Sequence, residues 1–201
     1  LAGQHHHPPD RRVMVLPGQG AASYRWGETA DSVALALSPR SYLWRSAVRY
    51  APPASSQLQV AVDDQIQQSR LVPGQLHALM RWLSVSTFLV SADGDARLSG
   101  ETGPLELAET LSRQTTKRQR VAAYGPTVRT GPQPGRQGGT SVQPSVAVYR
   151  VPGRTPPIVQ TAEPTGGTVL DGDADGIIEL AAHGLLPRGR SLLYAGDLGR
   201  E

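Results

Sequence analysis

The sequence contains no cysteine, one lysine and one phenylalanine in its 201 residues. Without cysteine there is no disulfide framework, no thiolate metal site and no thiol nucleophile. No apolar run approaches the ~20 residues that a membrane-spanning helix needs, and no signal peptide is visible. The chain begins with Leu1 rather than Met, so it reads as a fragment or a processed form. Acids are missing altogether between Glu109 and Glu163, where Arg113, Lys117, Arg118, Arg120, Arg129, Arg136, Arg150 and Arg154 fall. That stretch must carry positive potential. The plain reading is a solvated loop. The sharper one brings Arg118, Arg120, Arg129 and Arg136 against anionic lipid headgroups or another polyanion. Tyr124 and Tyr149 are the stretch's only aromatics, a poor stacking platform for bases, so nucleic acid is not an expected partner.

What is present is enough for a core: a chain of this length buries roughly 70% of its unfolded surface. The patterns alternate between strand and helix. Arg12 to Leu16 is a short buried-strand run ended by Pro17-Gly18. Leu58, Val62 and Ile66 recur every fourth position behind a cap at Ser55 or Ser56. Pro73 opens a second helix, in which Leu76, Leu79, Met80 and Leu83 make a clean amphipathic stripe. Thr87 to Val90 is β-branched and aromatic, a strand. Pro104 starts a third helix with Leu107, Ala108 and Leu111 on one face. Val121 to Tyr124 reads as a strand stopped by Gly125-Pro126 and paired antiparallel with Val146 to Val151, the residues 127–144 between them forming a flexible basic loop. A second unit follows: a strand at Thr168 to Leu170, a helix capped at Asp173 and closed at Gly184, and a strand at Ser191 to Ala195. The expected fold is therefore α/β, a mixed sheet flanked by helices with a smaller β-α-β unit at the C-terminus. The organisation that follows is a tail over 1–11, an α/β lobe over 12–152 and a β-α-β unit over 153–201. A lone β-α-β unit lacks a second layer, so it should dock on the lobe or continue beyond the chain.

Candidate chemistry is sparse. Gly18-Gln19-Gly20 follows a strand, but Gly27 interrupts the helix a dinucleotide loop requires and no acid follows at the ribose position, so no cofactor is implied. Asp171, Asp173, Asp175 and Gly176 match the first half of a calcium loop, yet Ala182 stands where the closing bidentate Glu belongs. The simpler role for these acids is to cap a helix and offset its positive end. Tyr24, Arg25 and Trp26 suit sugar stacking or an interface, but a place in the core is the simpler reading, since aromatics carry much apolar area and this chain has few. His5, His6 and His7 adjoin Pro8-Pro9 near a terminus, and neither a Gly-x-Ser-x-Gly elbow nor an HExxH helix occurs. No catalytic residue is assigned.

The motifs nevertheless fall in a familiar order. Val13 to Gly27, with Tyr24, Trp26 and Gly27, then Trp44 with Ala47-Val48-Arg49, Val121 to Pro126, Val148-Tyr149-Arg150-Val151 and the closing Thr168 to Asp197 together resemble the soluble region of the actinobacterial α-(1→3)-arabinofuranosyltransferase family. Where members have acids and a Pro soon after Trp-Gly, this chain has Asp31 followed by Ser32-Val33-Ala34. The resemblance implies a membrane enzyme of the GT-C class that transfers arabinofuranose from a polyprenyl-phosphate donor to cell-wall arabinan, with its catalytic acid in a loop between membrane helices. This chain would then be its non-catalytic extracytoplasmic domain, a scaffold or acceptor-orienting module partnered by the parent's membrane-embedded core, by cell-wall glycan and by anionic headgroups. A carbohydrate-binding module and a purely structural spacer are the alternatives.

Overall fold

The computed structural model describes residues 11–19, 21–29, 32–37, 40–45, 53–114, 119–131, 139–161 and 163–198. In chain order the elements are β1 (Arg12–Leu16), β2 (Ala22–Tyr24), β3 (Gly27–Thr29), α1 (Val33–Leu37), β4 (Tyr42–Leu43), α2 (Pro53–Gln67), α3 (Gln75–Trp82) and β5 (Val85–Ser91). They continue with α4 (Ala96–Ser99), α5 (Pro104–Gln114), β6 (Gln119–Thr130), β7 (Ser141–Arg150), β8 (Glu163–Leu170), α6 (Ala174–Ala182) and β9 (Arg190–Tyr194).

Five strands form the main sheet in the order β4-β1-β5-β7-β6. β1 lies parallel to both β4 and β5, while β7 is antiparallel to β5 and β6. The sheet is thus mixed, and β1 is its chain-reversal point: the path leaves β1 for β4 on one side and returns as β5 on the other. Helices α2, α3, α5 and α6 pack on one another over one face. Side chains alternate accordingly: Met14, Leu16, Phe88, Val90 and Ala147 join the core beneath the helices, while Val13, Thr87, Leu89, Val148 and Arg150 line the opposite face.

The amphipathic stripes are where their spacing puts them. Leu58, Val62 and Ile66 of α2 and Leu76, Leu79 and Met80 of α3 are buried in the core. α2 begins at Pro53, ahead of the expected serine cap, because proline's fixed φ and missing N–H suit the first helical position. Two buried glutamines tie the helices together. Gln75 accepts from Val72 N and donates to the Ile178 carbonyl at 2.9 Å; Gln114 accepts from Leu76 N and donates to the Val72 carbonyl at 2.8 Å. Buried amides hydrogen-bonded at both ends fix helix positions that apolar contact alone would leave free to slide.

β8 and β9 form a separate parallel pair, bridged by α6. Asp173 caps this helix by accepting from Asp175 N at 3.1 Å, and Gly184 follows it at φ 69°. The unit does not stand apart: α6 seats against α2 and α3, and Leu170, Ala174, Ile177, Ile178 and Ala181 belong to the same buried cluster as Met14 and Leu16.

One expectation is corrected. Gly125-Pro126 does not end a strand. β6 runs on to Thr130 and β7 starts at Ser141, so residues 127–130 and 141–144 are paired, not looped. The register shifts between Tyr124 and Thr127, a bulge that absorbs the proline's missing donor. Gly125 sits there at φ 76°, where a Cβ would come within 2.8 Å of Ser145. Ser145 Oγ in turn donates to the Pro126 carbonyl at 2.9 Å.

Because α6 shares the core, truncating its central contact should weaken the whole chain. Ile178→Ala is expected to lower unfolding free energy by about 2–5 kcal/mol, in a single transition followed by urea denaturation.

Candidate functional site

In open α/β sheets, ligands favour the crevice beyond the strand carboxyl ends where the winding reverses. Here that crevice lies past β1 and β5, and buried acids gather there. Asp63 of α2 accepts from Gly18 N at 3.0 Å, and its other oxygen sits 3.9 Å from Arg45. Glu101, between α4 and α5, is 2% exposed, and among the described residues neither carboxyl oxygen makes a well-aligned hydrogen bond, although Gln19 and Ser99 lie near it. Burial pushes both carboxyls up to about 7. For Asp63 the Gly18 amide and Arg45 pull back down, and Asp64 adds to the rise. For Glu101 the neighbours Gln19 and Ser99 pull down, while Asp63 and Asp93 push up. Gly18 packs against the Asp63 carboxylate, and Gly94 against that of Glu101, so closely that a Cβ at either glycine would overlap it. The acids are thus sealed under the strand-end turns, sheltered from solvent. Sequence reading missed both. The available signal was Gln59 and Asp63 flanking the Leu58, Val62, Ile66 stripe at helical spacing.

Tyr24, Arg25 and Trp26 part company in the structure. Tyr24 is buried and its hydroxyl accepts from Val33 N at 3.1 Å. Arg25 is exposed. Trp26 is 59% exposed. Its ring stacks on Tyr24 at 4.6 Å between centroids and 8° between planes, and its indole N–H donates to Asp93 Oδ2 at 3.0 Å. Asp93 is held in turn by Ser91 Oγ at 2.7 Å. One indole face is therefore rigidly backed.

Asp171, Asp173 and Asp175 are exposed, and among the described residues no group of three His, Cys, Asp or Glu could hold a metal ion. Arg118 and Arg136 lie outside the described residues. Arg120 and Arg129 are exposed on β6.

A different set of arginines converges. The sheet face away from the helices holds an open groove of about 900 Å³. Its floor is aliphatic, with Val13, Leu89 and Val148; Tyr42 and Tyr124 stand at its sides. Arg11, Arg40, Arg150 and Arg154 ring it, and no carboxylate is among its described lining residues. Arg11 is fixed by donating to the Thr155 carbonyl at 3.1 Å. The Arg154 carbonyl accepts twice from Arg81, at 3.2 and 3.0 Å, which pins the segment after β7 beside the groove. The four arginines are scattered from 11 to 154 and only the strand order assembles them. What they offer is donors and positive charge over an apolar bed. That suits holding an anion, and it supplies no acid–base pair for proton transfer.

Residues 3–201 match the family described as alpha-(1->3)-arabinofuranosyltransferase, N-terminal GT-C domain. The chain belongs to this family. No curated protein matches it. Among solved structures it is similar to the cryo-EM structure of arabinofuranosyltransferase AftD from Mycobacteria, at 21% identity over 92% of this chain with a TM-score of 0.74. It is also similar to a mutant form of that protein, at 22% identity and 0.73 over the same share. The arabinofuranosyltransferase-family chain spans 15% of the length of these solved relatives. Among its described residues no helix is long and apolar enough to cross a membrane.

The sealed acids of this family member set a pH dependence. A carboxyl that titrates near 4 when unfolded and about 7 when folded keeps its proton longer in the native state. Stability is then full below about pH 4 and falls as pH rises toward about 7, at up to about 1.4 kcal/mol per pH unit for one group. Denaturant midpoints across this range should fall with rising pH. Glu101→Gln should flatten the fall; an unchanged slope in that variant would remove Glu101 from the account.

Proposed function

We propose that this chain is a non-catalytic, extracytoplasmic module of a membrane arabinofuranosyltransferase. The parent would build cell-wall arabinan from a polyprenyl-phosphate arabinose donor, and the module would act as scaffold or acceptor-orienting element beside the membrane-embedded core. The observation that carries the reading is the contrast between the two sites. The open groove is lined by donors and aliphatic side chains, whereas the acids able to move protons are closed off under Gly18 and Gly94. Glycosyl chemistry uses carboxyl groups that reach the scissile bond, and these do not reach solvent. The family membership supports the parent's class.

A second reading rests on Trp26. An exposed indole stacked on a buried tyrosine is a preformed platform for a sugar face. It would make the module a carbohydrate-binding one, with Tyr24 as support and Arg25 at the rim.

Two measurements test these readings. The purified chain, given donor and arabinan acceptor, should form no product. The parent with this module deleted should show a raised KM for acceptor with donor turnover retained. Transfer by the chain alone would overturn the first reading. For the second, arabinan fragments should shift the intrinsic fluorescence, and Trp26→Ala should abolish the shift. The half-buried Trp44 remains as an internal reference.

A further inference from the structure

We infer that the arginine groove on the open sheet face is a binding site for an acidic phospholipid, its headgroup phosphate held by Arg40, Arg150 and Arg154 and the start of its acyl chain laid on the half-buried Leu89 and Val148. The inference rests on the membrane placement proposed above and gives that placement a contact point.

Three observations carry it. The first is charge complementarity. Four guanidiniums ring one concavity, and no carboxylate is among its described lining residues. Guanidinium forks match phosphate oxygens two at a time. The second is the polar inventory. Besides the arginines, Ser86, Thr87, Thr155, Tyr42 and Tyr124 line the groove. Their hydroxyls can donate or accept, while the guanidiniums only donate, so the lining as a whole favours an occupant rich in acceptors. The third is the floor. Free inorganic phosphate would leave the aliphatic bed empty, whereas a lipid covers it. Burying such surface is favourable by roughly 25 cal/mol per Å². A volume of about 900 Å³ admits a headgroup with part of a chain, and an open rim lets the remainder continue into a bilayer.

The proposed site takes only Arg150 and Arg154 from the acid-free stretch, joined by Arg11 and Arg40 from elsewhere in the chain. Arg120 and Arg129 are exposed on β6 and are not among the groove's lining residues. They serve as the control for diffuse attraction.

The test is flotation of the 201-residue chain with phosphatidylcholine vesicles, with and without phosphatidylglycerol, alongside calorimetric titration with inorganic pyrophosphate. The chain should float only with phosphatidylglycerol vesicles. Arg150→Gln with Arg154→Gln should weaken that binding about tenfold, and Arg120→Gln with Arg129→Gln by less than about twofold. All four arginines are exposed, so their loss leaves the core intact; circular dichroism verifies this. Leu89→Asn should also weaken flotation while leaving any pyrophosphate binding unchanged. The proposal is overturned by equal flotation on neutral vesicles, by equal loss in the two double variants, or by pyrophosphate binding as tight as vesicle binding. Failure here leaves the transfer assays untouched, so it is separable from failure of the functional reading.

Discussion

Strand β1 carries apolar side chains on both faces: Met14 and Leu16 look toward the helices, Val13 and Val15 away from them, and all four are buried. A strand with parallel neighbours on both sides normally has both faces covered. Here the four core helices occupy one side only. The other side gets partial cover from the β4 region and from the chain that leaves β7 near Gly153 to Thr155. Long arginine stems complete it, since their methylene groups shield aliphatic surface while the guanidinium stays in water. The groove's character, cationic rim over apolar floor, is thus the consequence of a sheet that the described residues cover on one side and only fringe on the other.

The same winding explains the crevice. Where β1 and β5 end, the chain must turn at Gly18 and again at Gly94, and helices α2 and α5 enter close behind. Asp63 finds one backbone donor there, and Arg45 stands 3.9 Å away. Among the described residues Glu101 finds no well-formed hydrogen bond. An acid buried without such partners is held protonated more easily than charged. Perturbed carboxyls often mark active sites, but ion-pair and packing networks perturb them too. Both carboxylates here are deeply packed, with Asp63 and Glu101 each 2% exposed.

Much of the framework was legible because it is periodic. The stripes at Leu58, Val62 and Ile66 and at Leu76, Leu79 and Met80 could be placed from spacing alone, as could the strand at Arg12 to Leu16 and the capped helix at Asp173. The bulge at Gly125 was not legible, since a Gly-Pro pair is a stop signal unless a partner strand shifts register around it. Glu101 was invisible for a related reason. Its burial depends on Gly94 lying over it, a contact no local pattern encodes. The groove was hidden most deeply. Arg11, Arg40, Arg150 and Arg154 share no motif and become neighbours only through the order β4-β1-β5-β7-β6. The charge count covered Arg150 and Arg154 within the acid-free stretch but singled out Arg118, Arg120, Arg129 and Arg136, because a gap in acids is easy to read along a chain while convergence across strands is not.

That difference bears on how such a module would hold to a membrane. Arginines spread along an exposed strand act through net potential, which ordinary salt screens over about 10 Å. Guanidiniums gathered around an apolar floor act on one headgroup at contact distance, and the apolar part of that contact is insensitive to screening. Nearly all the basic residues here are arginine, whose planar, weakly hydrated group loses less on partial desolvation than an ammonium does. A surface built only to be attracted to anionic lipid would have no use for Leu89 and Val148 beneath its charges. The pairing of the two surfaces in one concavity is what distinguishes a seat from a general attraction.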